Sequence, residues 1–171
     1  IIGIFLLVPV FLVVSIIHKF VMPGPIIYKQ KRVGQFGEIF TLYKIRTMNI
    51  SYEGNTITTR GEKRITPYGA ILRKSKLDEL PGLWNIIRGD MSFVGPRPDV
   101  PGYADRLAGE ERNILDLKPG ITGPASVKYA NEELILAQVE NPEHYNDTII
   151  YPDKVKINLD YYYNWSLRLD L

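Results

Sequence analysis

The stretch Leu77-Asp78-Glu79-Leu80-Pro81-Gly82-Leu83-Trp84-Asn85-Ile86-Ile87-Arg88-Gly89 decides how the rest of the chain is read. It sets two adjacent carboxylates between basic groups, with Arg73, Lys74 and Lys76 before them and Arg88 and Arg97 after. Asp78 has the position of a helix N-cap. Glu79 and Leu80 open the first turn, and Pro81 sits where its missing N–H costs nothing. Leu83, Ile86 and Ile87 form an apolar stripe at helical spacing, and Gly89 ends it. A helix N-terminus gathers free N–H groups and positive potential. It would hold an anionic phosphate beside a carboxylate able to attack it or to bind a divalent cation. On these residues alone such a pair is more often structural, since Asp caps helices and Glu favours their first turn.

The flanking segments give a mixed pattern. Thr66-Pro67 opens a helix running to about Lys74, with Tyr68, Ile71 and Leu72 apolar. Residues 26–33 and 38–43 read as strands joined through 34–37, so a hairpin is expected. Lys29, Lys31, Arg32, Lys44 and Arg46 make that region basic. For the first three, a solvated face, lipid-headgroup contact and phosphate binding all fit. Residues 49–63 read as a polar, exposed loop. Downstream, Pro96-Arg97-Pro98 is stiff, because each proline fixes its own φ and extends its predecessor. An arginine held that way suits directed phosphate or base contacts; a surface-turn arginine is the plain alternative. Residues 100–117 read as a helix, 118–124 as a loop and 132–139 as a short helix. Residues 141–153 read as a loop with an exposed His144. The aromatic run near 154–165, with Lys154 and Lys156, fits a membrane interface and an ordinary core equally well.

Residues 1–17 are almost wholly apolar, interrupted by Gly3, Pro9 and Ser15, and His18-Lys19 closes the run. A signal peptide carries its basic group before the apolar run, and here it follows. A spanning helix needs about 20 apolar residues. A helix that enters the bilayer, bends at Pro9 and returns is the third reading, because a central proline removes one backbone bond and kinks the helix. A straight span stands beside it, since spanning helices tolerate proline. His18 reads as an interfacial residue rather than a ligand.

Composition narrows the function classes. The 171 residues suffice for one domain with a sizeable core. A formal net charge of +2 is nearly balanced and does not argue for nucleic acid as partner. With no cysteine and two isolated histidines, neither a disulfide framework nor a transition-metal site is indicated. No Gly-x-Gly-x-x-Gly or Walker loop is present to hold a nucleotide.

The pattern Asp78-Glu79-Leu80-Pro81, Trp84-Asn85, Arg88-Gly89-Asp90-Met91-Ser92-Phe93-Val94-Gly95-Pro96-Arg97-Pro98 resembles the signature of the monotopic phosphoglycosyl transferases, or bacterial sugar transferases. The likeness continues in Pro23-Gly24-Pro25-Ile26-Ile27-Tyr28-Lys29-Gln30-Lys31-Arg32-Val33-Gly34, Tyr43-Lys44-Ile45-Arg46-Thr47-Met48 and Lys118-Pro119-Gly120-Ile121-Thr122-Gly123. It implies an α+β fold: a mostly helical small domain with a β-hairpin, interfacial helices and an N-terminal re-entrant membrane helix kinked at Pro9. Residues 1–22 would be that helix and 23–171 a catalytic domain on the cytosolic face of the bacterial inner membrane. The implied reaction moves a phosphosugar from a nucleoside-diphosphate sugar, here a UDP-sugar, to polyprenyl (undecaprenyl) phosphate, releasing UMP. By the resemblance Asp78 is the nucleophile that forms a covalent intermediate. Glu79 assists it, both carboxylates hold Mg²⁺, and Lys44, Arg46, Arg73, Arg88, Pro96, Arg97 and Pro98 form the substrate-binding shell. The lipid bilayer is a partner, and a homodimer is left open. The chain departs from the pattern at Val8, where members often carry Ser, and at Pro124-Ala125-Ser126, where the commonest version has Trp-Ala-Gln. A non-catalytic membrane-anchored module binding anionic lipid or nucleotide is the alternative, as is a structural subunit with a spanning first helix.

Overall fold

The computed structural model describes residues 2–49 and 64–170, with side chains from residue 7 onward. The polar loop expected over 49–63 lies, beyond Asn49, outside the described residues. Helix α1, Ile2–Val21, runs through Pro9. Among the described residues no helix is long and apolar enough to cross a membrane. Phe11, Val14 and His18 fall on one face of α1, and Val14 packs with Ile45 and Leu72. His18 was expected at an interface but is fully buried. Its ring meets the Tyr68 ring edge-on at 5.8 Å. It sits on the packed stripe of α1, which decides its burial.

Strands β1, Ile27–Val33, and β2, Ile39–Ile45, form the expected antiparallel hairpin. Phe36 and Gly37, both at positive φ, turn the chain between them. The hairpin joins two small cores. Ile45 enters the one with Val14 and Leu72; Val33 enters the other with Ala104 and Leu115. Helix α2, Pro67–Lys74, starts as read: Thr66 Oγ1 accepts from Gly69 N at 2.9 Å, and Pro67 takes the first turn.

The stretch around Asp78 folds differently from its sequence reading. Lys76 turns left-handed at φ 57°, and Leu77–Glu79 forms a 3₁₀ turn. Helix α3, Gly82–Arg88, starts only afterwards, with Pro81 at its cap position and Gly89 (φ 84°) ending it. Asp78 is therefore not the N-cap of a long helix. The left-handed residue breaks α2 from the turn and redirects the chain.

Strand β3, Ser92–Val94, pairs in parallel with β4, Gly120–Thr122, so the expected loop over 118–124 contains a strand. The expected helix over 100–117 is instead two 3₁₀ turns, Ala104–Arg106 and Gly109–Asp116. Gly102 and Gly109, at φ 106° and 58°, interrupt any α-helical run. Helices α4, Pro124–Lys128, and α5, Glu132–Leu136, follow. The expected loop over 141–153 is helical: α6, Pro142–Tyr145, then a π-helical turn, Asn146–Ile150, then α7, Tyr151–Asn164. Asn141 caps α6 by accepting from His144 N, and Pro142 fits the first turn. His144 is exposed, as expected. Helix α8, Leu167–Asp170, ends the described chain.

Candidate active site

The site starts from strand alternation. Ile45 is 2% exposed in a core, so its neighbour Lys44 faces the opposite side of β2. There Lys44 Nζ donates to Glu79 Oε1 at 3.2 Å. Arg97 Nη2 donates to the same oxygen at 2.6 Å. Burial alone would push the Glu79 carboxyl up, but the charges of Arg97 and Lys44 outweigh it and hold the group at about 2. Burial, reinforced by the Arg97 charge, pushes the Lys44 ammonium down to about 8. Asp78 stands beside this triad, 8% exposed. Burial pushes its carboxyl up, and the Lys44 charge opposes that. Asp78 Oδ1 is shielded and has no hydrogen-bond partner.

Each group is held from the backbone. Asp78 and Glu79 line the same cleft from a single 3₁₀ turn that ends at Glu79. Fully buried Asn85 clamps α3 to the hairpin. Its Oδ1 accepts from Tyr43 N at 3.3 Å, while its Nδ2 donates to Thr41 O at 2.8 Å and Asp90 Oδ2 at 3.1 Å. Arg97 is fixed from both sides. Pro96 O accepts from Gly120 N at 2.8 Å, and Pro98 O accepts from Arg32 Nη1 at 2.9 Å. The tip of Arg97 stays open, its side chain 43% exposed.

One cleft is lined by Lys44, Arg73, Asp78, Glu79, Pro96, Arg97 and Pro98. Arg73 pairs with Glu133 of α5 and also acts on Asp78 through its charge. Of two further sequence candidates, Arg46 also lines the cleft but spends its donors on backbone carbonyls, and Arg88 lies outside it. Arg46, 8% exposed, donates to the carbonyls of Met22, Pro23 and Pro25 at 2.8–2.9 Å and of Met48 at 3.3 Å. Arg88 lies outside the cleft lining and faces Asp90 at 3.6 Å, half exposed. Sequence reading missed Asp99, which burial pushes up to about 6, and the Lys154–Glu132 pair at 2.6 Å. Asp99 follows Pro98 directly and was within reach of inference. The α5 and α7 groups join the cleft only through tertiary packing.

The donors suit a hard cation. Asp78 offers a carboxylate oxygen without a partner, and Glu79 adjoins it. Among the described residues no three His, Cys, Asp or Glu side chains converge. A Mg²⁺ here would therefore rely on one or two carboxylates and take its other ligands from phosphate and water, its usual mode.

A family model described as bacterial sugar transferase matches residues 1–171. The UDP-glucose:undecaprenyl-phosphate glucose-1-phosphate transferase of Caulobacter vibrioides is 34% identical over 97% of this chain and 60% of its own length. The UDP-N-acetylgalactosamine-undecaprenyl-phosphate N-acetylgalactosaminephosphotransferase of Aeromonas hydrophila is 35% identical over the full chain and 38% of its own length. The exopolysaccharide production protein ExoY of Sinorhizobium fredii is 33% identical over the full chain and 76% of its own length. The chain thus spans less than two thirds of the first two relatives. A family match along every residue, with paired carboxylates held among cations in one cleft, has a single consequence: this chain belongs to the bacterial sugar transferase family.

Proposed function

We propose that the chain transfers a sugar 1-phosphate from a UDP-sugar to undecaprenyl phosphate, releasing UMP and starting the assembly of a surface glycan. The observation that carries this reading is Asp78, whose Oδ1 has no hydrogen-bond partner, beside Glu79, whose charge is shared by Lys44 and Arg97. Two polyanions must meet in this cleft, so cations are needed where phosphate charge gathers. Arg97 and Arg73 border the cleft from different elements and can each turn from a carboxylate to a phosphate oxygen.

In the first step an Asp78 carboxylate oxygen bonds to the sugar-bearing phosphorus. The bond from that phosphorus to the bridging oxygen breaks, and UMP departs with the oxygen. In the second step an oxygen of undecaprenyl phosphate attacks the same phosphorus and the Asp78 carboxylate is restored. Splitting the displacement lets a soluble and a lipid substrate use one site in turn. Lys44 opposes the burial that pushes the Asp78 carboxyl up, so it favours the ionised nucleophile. Mg²⁺, held by Asp78 and Glu79, would supply charge neutralisation on the diphosphate.

The reading includes a location, the cytosolic face of the bacterial cytoplasmic membrane, with residues 1–22 as a re-entrant helix bending at Pro9 and 23–171 as the catalytic domain. Support comes from the exposed apolar side chains Leu12, Val13, Ile16 and Phe20 of α1 and Trp165, Leu167 and Leu169 at the other end. These suit contact with lipid.

The test is intact-protein mass spectrometry after incubation with UDP-sugar and Mg²⁺ but no lipid. A mass gain matching phosphosugar, mapped to Asp78 and absent in Asp78→Asn, is expected. UMP should appear before lipid is added. UMP that appears only when both substrates are present would overturn the two-step route. No UMP under any condition would overturn the transferase reading.

A further inference from the structure

The hairpin face that carries Lys44 also carries an aromatic side chain with no part in the steps above. Tyr28 of β1 stands directly opposite Lys44 of β2 in the antiparallel register. Opposed residues in such a pair share a face of the sheet, with Cβ atoms about 5 Å apart. Alternation adds Gln30 and Arg32 to that face. Arg32 Nη2 donates to Gln30 Oε1 at 2.6 Å, a contact that same-face neighbours make. This face meets the site: Lys44 Nζ donates to Glu79 Oε1, and Arg32 Nη1 donates to Pro98 O. Tyr28 lines the cleft and is 47% exposed, so its ring is open to a ligand. We propose that the Tyr28 ring is the platform on which the uracil of the donor nucleotide stacks; this rests on the transferase reading above.

The surroundings of the ring select a base with phosphates attached. Lys44 is its cross-strand neighbour, and Lys29, next along β1, is exposed and lines the cleft too. Burial lowers the Arg32 guanidinium most; Arg97, Asp99, Tyr28 and Glu79 act on it through charge, so Tyr28 stands within the same group of side chains. An aromatic ring set beside cations is a general way to hold a base by its π-face while the phosphates meet positive charge. The chain has no Gly-x-Gly-x-x-Gly or Walker loop, so side chains must hold the nucleotide instead.

The ring is also free to take such a partner. Among the described residues the paired rings are His18 with Tyr68, Tyr103 with Tyr151 and Tyr162 with Tyr163, and Tyr28 is in none of them. An offset stack with uracil would cover apolar surface that water now touches and add the ring-on-ring attraction. The strand holds the ring in place before the ligand arrives, because seven residue pairs fix the hairpin register. A pyranose can also lie on an aromatic ring, but it needs neutral hydrogen-bond partners around its rim. The neutral polar neighbour on this face is Gln30, and Arg32 already engages its amide oxygen. The cations beside Tyr28 therefore favour the nucleotide end of the donor over its sugar end.

Calorimetric titration of the full chain with UDP, UDP-glucose and inorganic pyrophosphate, each with Mg²⁺, tests this on Tyr28→Leu and Tyr28→Phe beside the unaltered protein. Tyr28→Leu should lose about tenfold in affinity for UDP and for UDP-glucose, the scale of one base stacked on one ring. Its pyrophosphate affinity should be unchanged, which also shows that the variant folds. Tyr28→Phe keeps the ring and should bind UDP as the unaltered chain does. In Tyr28→Trp, indole emission should change on adding UDP and stay constant on adding pyrophosphate. Unchanged UDP affinity in Tyr28→Leu would overturn the platform. Equal losses for UDP and pyrophosphate would overturn it too, by assigning Tyr28 to the phosphate contacts or the fold. A loss for UDP-glucose alone would give the ring to the sugar, and an equal loss in Tyr28→Phe would give the contact to the hydroxyl; either overturns stacking of the base. An unaltered chain that binds neither UDP nor UDP-glucose would overturn the transferase reading together with the platform.

Discussion

Lys44 carries the most exposed consequence of the site's electrostatics. Burial and the Arg97 charge bring its ammonium down to about 8, while the unfolded chain would keep it near 10.5. Below about 8 the proton is on, and the Lys44 charge supports Glu79 and opposes the upward push of burial on Asp78. Above it the proton leaves and one cation is lost. We therefore expect kcat/KM, which reports the free enzyme, to fall above about pH 8. Lys44→Arg should remove that alkaline limb, because a guanidinium stays protonated. Unfolding is not the cause: between about 8 and 10.5 the unfolded chain binds more protons at this residue, so its contribution favours folding as pH rises. An alkaline limb unchanged in Lys44→Arg would dissociate Lys44 from the profile. A separate expectation concerns Arg97→Ala, which should cost roughly 2–4 kcal/mol in kcat/KM, the scale for losing one preorganised charge donor. Activity equal to the unaltered chain would remove Arg97 from the site. Lys44, Glu79 and Arg97 were singled out through the family resemblance, and the structure brings the three together. Arg46 was legible only as a cation. That its donors go to four carbonyls could not be read, since three of those acceptors, Met22, Pro23 and Pro25, are placed by the loop after α1.

At the scale of elements, the β3–β4 pair aims Arg97, and three glycines permit its close approach. A Cβ on Gly120 would lie 2.3 Å from Gly95 N and 2.5 Å from Thr122 O. One on Gly123 would lie 2.2 Å from Gly95 O, and one on Gly95 would lie 2.4 Å from Lys118 O. These neighbours are backbone atoms and cannot rotate away. Gly120→Ala should therefore destabilise the fold by about 1–3 kcal/mol, as overpacking does. Activity should fall beyond the unfolded fraction, because the strand that carries Pro96 and Arg97 must shift. Paired measurements of urea unfolding and kcat/KM on the same sample check this; unchanged stability would show that the strands separate without cost. The hairpin and α2 were readable because alternation and a Thr-Pro start are strong local signals. The two three-residue strands were not, because each is too short to show alternation and their pairing spans some 25 residues. The 3₁₀ turns of 104–116 escaped because their apolar positions also fit a helical period, and only the left-handed glycines distinguish the two.

At the scale of the molecule, the packing of α1 sets how the chain would meet a membrane. The second half of α1 is bound to the catalytic domain. Val14 lies in a core, Tyr68 Oη donates to Val14 O at 3.0 Å, and Thr66 Oγ1 reaches Met22 Sδ at 3.2 Å. Arg46 then fixes the following loop through three of its carbonyls. This half cannot sit in the middle of a bilayer while its domain stays in water. On the proposed reading it lies at the membrane surface, with its exposed residues Leu12, Val13, Ile16 and Phe20 toward lipid. Pro9 stands just before the docked half, where a missing hydrogen bond makes bending cheapest. A bend there would return the preceding turns to the face they came from. Single cysteines at Ile1 and Lys19, labelled with an impermeant maleimide in oriented vesicles, should react from the same face. Reaction from opposite faces would overturn the re-entrant reading and establish a span. Pro9→Ala restores the lost hydrogen bond, so it should move the Ile1 label toward the opposite face while Lys19 stays in place. Arg46→Leu should leave the labelling pattern intact but weaken the domain by roughly 3 kcal/mol, because buried carbonyls lose a charged donor.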